Sequence, residues 1–142
     1  MTCRSWWAGE EGRVSAFVVV FTIGILALAG LTLDGGLALA AKVRATGQAE
    51  AAARAGAQAI DLRAYRASGR LELLPEQAIA DTRRYLASIG ATGTVSVSGN
   101  TVTVTITTTQ RTQLLGLIGV ASLSVQGVGR ARPQRGVRTA EP

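Results

Sequence analysis

Histidine is absent from the 142 residues, and cysteine and lysine occur once each, as Cys3 and Lys42. The missing His removes His-based triads and His-ligated metals; the single Cys removes CxxC redox centres, zinc ribbons and a disulfide within one chain. With Lys42 beside a long apolar run, a Ser-Lys dyad is remote, and no His can activate the many Ser and Thr hydroxyls. Nine acidic residues are scattered without metal-ligand spacing. No enzyme activity, cofactor, metal or small-molecule substrate is therefore expected. Aromatics make up only 4% of the chain, so any globular part must be built from small aliphatic side chains.

What is abundant is aliphatic. The hydrophobic share is 47%, and the 20 residues from Val14 to Leu33 carry no charge. As a helix that run is roughly 30 Å long, enough to cross the hydrocarbon of a bilayer. Arg4 and Arg13 precede it, as in a secretory signal, and Ala38-Leu39-Ala40 could mimic a cleavage site. The run exceeds a signal's apolar core and the sequence beyond it still reads as helix, which favours a retained anchor. Arg4 and Arg13 on one side nearly balance Lys42 and Arg44 on the other, so charge alone does not orient the span. Trp6 and Trp7 suit an interfacial belt.

Beyond the span, Ala41, Ala45, Ala49, Ala53 and Ala57 recur every four residues. Ala38, Ala45, Ala52 and Ala59 recur every seven, with Gly56 and Ile60 beside them. In one helix both sets fall near one face, a smooth stripe against which another backbone can come close. A continuous helix over 34–67 is predicted, with Glu50 and Arg54 paired on its polar side. Alanine buries little area, so such a helix needs a neighbour. Asp34 ends the span, either as an acid in water at the membrane boundary or as an assembly contact to a basic partner. Gly35-Gly36 next to it offers a flexible joint or a close-packing point.

Residues 71–129 read as a small α+β module whose thin core needs the long helix or a partner protein for stability. Pro75 suits a first helical turn; Ala78, Ile79, Thr82, Tyr85, Leu86 and Ile89 follow with helical spacing, and Gly90 is a natural stop. TVSVSGNTVTVTITTT is a hairpin pattern about Gly99-Asn100, setting Val97 opposite Val102 and Val95 opposite Val104, with Ser and Thr on the other face. Leu114, Leu115, Leu117 and Ile118 form a short helical turn or buried loop, and ASLSVQG supplies a third strand through Leu123 and Val125. The hydroxylated face is either a solvated surface or a site of strand addition to a partner. Gly127-Val128-Gly129 begins like a dinucleotide loop, but Arg132 takes the third glycine position and no helix pattern follows.

The chain is thus expected to be α+β: an N-terminal transmembrane helix over 14–33 behind a short flank (1–13), the alanine-rich helix, and one helix on a three-stranded antiparallel sheet. A basic tail (130–142) carries Arg130, Arg132, Arg135 and Arg138 and is read as disordered. The net charge of +6 suits nucleic acid, an anionic membrane surface or an acidic protein. Without an aromatic in the tail, nucleic acid is not the expected partner.

The segment AGLTLDGGLALAAKVRATGQAEAAARAGA resembles the N-terminal region of TadE/TadG-like proteins of the tight-adherence (Tad/Flp) pilus system. Asp34 and Gly35 match the acidic stretch that ends the family's apolar helix, and Gln48 to Ala57 match its alanine-rich continuation. TVTVTITTTQRTQLLGLIGVASLSVQG is similar to actinobacterial members. The resemblance implies a bacterial, single-pass membrane protein with an extracytoplasmic C-terminal module. It also implies a minor pseudopilin-like or accessory subunit that contacts lipid and other pilus or secretion subunits. Gly12-Arg13 stands where a pilin-like processing site would fall. Phe17, rather than Glu, occupies the fifth position after that Gly, which places the chain nearer an anchored assembly factor than a polymerising pilin. Asp34, Gly35 and Gly36 are thus expected to form a boundary or assembly contact, and Ala41, Ala45, Ala49, Ala52, Ala53, Gly56, Ala57 and Ile60 a helix-packing face.

Overall fold

A computed structural model describes residues 11–134 and 136, with the side chains of 11–13 left out. Trp6, Trp7, Cys3 and Arg4 lie outside the described residues, as do Arg135 and Arg138 of the tail. The fold is α+β, in the order α1 (Glu11–Gly56), α2 (Leu62–Ser68), α3 (Pro75–Ser88), β1 (Gly93–Ser98), β2 (Thr101–Arg111) and β3 (Ser122–Ala131). A single 3-10 turn, Leu115–Ile118, lies between β2 and β3.

The first helix is continuous for 46 residues. Gly35 and Gly36 do not interrupt it, so the flexible joint allowed by the sequence is absent. The helix stops at Gly56, short of the expected end near residue 67. Beyond Gly56 the chain folds back: Asp61 N–H donates to Glu72 O, Leu74 N–H donates to Ala59 O, each at 2.8 Å, and Ile60 bridges Leu73. Asp61 then starts α2 afresh, its carboxylate accepting from the N–H groups of Arg63 and Ala64, an ordinary N-cap. The bridge and the two backbone bonds hold the fold-back that divides the expected helix, and Asp61 caps the piece that follows.

The third helix begins with Pro75 at its first turn and ends before Gly90, whose φ of 64° is the left-handed conformation expected of a helix stop. Ala78, Thr82 and Leu86 are its buried stripe, and Tyr85 and Ile89 pack partly buried beside it. Thr82 is accommodated because its hydroxyl donates to Ala78 O at 2.7 Å.

The strands form an antiparallel meander, β1-β2-β3. The hairpin register is the one the sequence predicts, with Val97 opposite Val102, Val95 opposite Val104, and Ser98 opposite Thr101. Gly99 supplies the positive φ of its turn. Along β2, Val102, Val104 and Ile106 are buried while the intervening threonines are half-exposed. The last strand continues to Ala131, which pairs with Val102, while Arg130 pairs with Thr103. The basic tail therefore begins two residues later than expected, because these residues complete a ladder.

One face of the sheet is covered by two helices, with α1 against β2 and β3 and α3 against β1 and α1. The core between them is Ala45, Ala49, Ala52, Ala53, Ala57, Ala59, Leu73, Ala78, Leu86, Val102, Val104 and Ile106. Half of these residues come from the alanine stretch, so α1 is one wall of the module's core.

Candidate functional site

The inner face of β3 reads Leu123, Val125, Gly127, Gly129 and Ala131, alternate residues that are large near the turn and small beyond it. The two glycines lie directly on α1. A Cβ at Gly127 would collide with the backbone of Ala45 and Thr46, and one at Gly129 with that of Ala49 and Glu50. Helix and strand therefore meet backbone to backbone, with alanine on one side and no side chain on the other. Such an approach multiplies weak dispersion contacts where there is little side-chain area to bury. At the far end Gly56 is equally confined, by Ala78 O, Val102 and the Thr82 hydroxyl.

These contacts place the predicted packing face. Ala41, Ala45, Ala49, Ala52, Ala53, Gly56 and Ala57 are all buried within the chain itself. The stripe that invited a neighbouring subunit's helix is taken by the protein's own sheet and α3. Ile60 lies beyond the helix end. The sequence did hold a signal for the partner, since paired glycines inside an alternating strand mark close approach of another backbone. The same Gly-x-Gly spacing also opens a dinucleotide loop, so by itself it does not single out the strand.

Asp34 is the other fixed point. It is 1% exposed, and its two carboxylate oxygens accept three backbone N–H bonds from the turn between β2 and β3: Gln113 at 2.7 Å, Leu114 at 3.0 Å and Leu115 at 2.7 Å. A carboxylate is an acceptor only, and these are the N–H groups that the start of a helical turn leaves unpaired. Asp34 is thus neither in water nor turned to a basic side chain: it ties α1 to a turn about 80 residues later in sequence. Gly35 and Gly36 are exposed, with nothing from the rest of the chain within 4 Å of where a Cβ would stand. Gly12 and Arg13 fall within α1, and their side chains lie outside the described residues.

The turn held by Asp34 is not the buried loop allowed by the sequence. Leu117 is 84% exposed and Ile118 76%, while Leu114 lies against Gly30. Below Asp34 the helix leaves its large side chains uncovered, from Val14 through Phe17 and Phe21 to Leu33. By length and composition α1 contains the one membrane-span candidate among the described residues, with a mean hydropathy of 2.5 over its most apolar window. Glu50 and Arg54 form the expected surface pair at 3.7 Å, of little energetic weight. The Ser/Thr face of the sheet points away from both helices.

Residues 12–59 match the family described as putative Flp pilus-assembly TadE/G-like. No curated protein and no solved structure matches the chain. The matched segment contains the apolar span, Asp34 and the alanine face, whereas the strand and the turn that engage them lie outside it.

Proposed function

We propose that this chain, whose residues 12–59 are a TadE/G-like pilus-assembly segment, is a membrane-anchored minor pseudopilin-like or accessory subunit in the assembly of a Tad/Flp-type pilus or related secretion apparatus. It acts by packing, not by catalysis. The observation that carries this reading is the division of α1. Its C-terminal half is locked into a small folded module, and its N-terminal half projects as an apolar rod with Val14, Phe17, Phe21, Ile25 and Leu28 exposed. Such a rod is suited to lipid and to other membrane helices. Since the alanine face is occupied internally, contact with neighbouring subunits falls to this span and to the exposed surface of the module. Asp34, Gly35 and Gly36 mark where span and module join, and the bare helix surface at the two glycines leaves room for a neighbour's backbone.

In this arrangement the module stands outside the cytoplasm on a single-pass anchor. Deleting the gene in its own bacterium is expected to abolish surface pili while the major pilin is still made, with recovery when the full chain is restored. Pili of normal number and length in the deletion strain would remove the proposal. The orientation is checked separately, in the Cys3→Ser chain, by a membrane-impermeant thiol label at an added C-terminal cysteine in intact spheroplasts.

A further inference from the structure

The turn between β2 and β3 has no role in the reading above, yet it is unusual in three respects. It is apolar and uncovered, it lies beside the span, and its backbone is largely paired. No charged residue occurs between Arg111 and Arg130. Within that stretch Leu114, Leu117, Ile118 and Val120 are exposed large aliphatic side chains.

Their height relative to α1 is set by direct contacts. The last strand climbs alongside the helix, with Gly129 at Ala49 and Gly127 at Ala45. The turn reaches further down, where Gln113, Leu114 and Leu115 bind Asp34 and the Leu114 side chain rests on Gly30. An apolar cleft of about 420 Å³ between turn and helix extends along Leu26 to Ile23. At 1.5 Å per residue, Gly30 lies about 6 Å and Ile23 about 16 Å below Asp34 along the helix. The turn therefore occupies the level of the apolar span, not that of the polar module.

Backbone at that depth is tolerated only when its polar groups find partners within the protein. Here many do. Three N–H groups go to Asp34. Leu117 N–H donates to Leu114 O at 3.1 Å, Val120 N–H to Leu115 O at 3.0 Å, Gly119 N–H to Gly116 O at 3.3 Å, and Thr112 N–H to Ala121 O at 3.2 Å. The Thr112 hydroxyl also closes the turn by donating to Val120 O. In water none of this pairing would be required of an exposed loop, and a polar sequence would serve better.

We propose that the turn Gln113–Val120 is a second membrane attachment, inserted among the acyl chains of the leaflet on the module's side of the bilayer that α1 crosses. Leu117 and Ile118 enter the hydrocarbon, and the cleft beside Leu26 receives an acyl chain. Asp34 serves as the fixed link that holds the turn at this depth. Arg111, exposed at the base of the turn, lies where lipid phosphates would be. Attached at two points, the module cannot swing about its anchor, so its sheet is presented to partners at a fixed height and orientation. The proposal rests on Val14–Leu33 being a membrane span.

The test uses the full chain with Cys3→Ser, carrying a nitroxide label at one introduced cysteine and reconstituted in phosphatidylethanolamine–phosphatidylglycerol vesicles. Labels at Leu117→Cys and Ile118→Cys are compared with Phe21→Cys in the span and Ser96→Cys on the outer face of the sheet. All four sites are exposed, so the labels do not disturb the core. Collision with oxygen, which concentrates in hydrocarbon, is expected to exceed collision with a water-soluble nickel chelate at 117, 118 and 21. The order reverses at 96. A nickel-accessible label at 117 and 118, with position 21 still in hydrocarbon, would overturn the insertion and leave the anchor intact. Labels at 117 and 118 shielded from both reagents would show a protein cover and overturn it as well. A nickel-accessible label at 21 would overturn the anchor reading and the insertion together.

Discussion

From Val14 to Leu33, α1 carries Phe, Val, Ile and Leu and leaves them uncovered; from Ala41 to Ala53 it carries alanine along one face and buries it. Both halves are helical. The second is apolar along one face only, with Lys42, Arg44, Glu50 and Arg54 exposed on the others. The apolar character that the two share does not itself tell what covers each. Side-chain size does. Large flexible side chains fill the irregular spaces between lipid tails or other helices. A row of methyl groups makes a flat surface that only another flat surface can follow, and β3 provides one by placing Gly127 and Gly129 at alternate positions. Asp34 stands at the change between the two regimes, using its charge to hold the turn that closes the sheet.

The comparison breaks most severely where the flat surfaces meet. Gly129→Ala sets a methyl into the backbone at Ala49, and only separation of strand from helix relieves it. A loss of about 3 kcal/mol or more is expected, measured by denaturant unfolding of the detergent-solubilised chain. Asp34→Ala tests the boundary. Removing the carboxylate leaves three N–H groups without their partner. Unfolding should become easier by about 2–3 kcal/mol, with hydrogen exchange at 113–115 accelerated first. Gly35→Ala is expected to act with the opposite sign. Nothing in the chain stands near a Cβ there, so the substitution removes a flexible residue from a helix interior and stabilises by about 0.5–1 kcal/mol. If the same variant assembles poorly in cells while melting higher, a neighbour's backbone approaches at that glycine. The smallest effect belongs to Phe17→Ala in the free half: the module's unfolding should move by less than about 0.5 kcal/mol, the range for positions away from any core.

Much of this was legible in the residues, unevenly. The hairpin register could be read pair by pair, because alternating Val with Ser or Thr around Gly99-Asn100 allows one pairing that puts every valine on one face. The third helix was legible from Pro75, Gly90 and its spacing. The alanine stripe was visible as a packing face, but smallness says only that something comes close, not what. Its partner lay about 80 residues away, in glycines whose spacing fits a strand as well as a loop. The end of α1 at Gly56 was hidden because the alanines continue past it to Ala59, and the fold-back depends on the Ile60–Leu73 bridge rather than on a breaker. For Asp34, local sequence offers water or a partner's cation. That it binds amides of the turn follows from the meander, which returns the chain to that level.

The most direct measurement is an isotope-filtered NOE experiment on the full chain in detergent micelles, using a sample mixed from differently labelled chains. The account predicts cross-peaks from the Hα protons of Gly127 and Gly129 to protons of Ala45 and Ala49, arising within one chain. Cross-peaks appearing only between chains, or none at those sites in a sample with an intact hairpin, would contradict it. The alanine face would then belong to a neighbouring subunit.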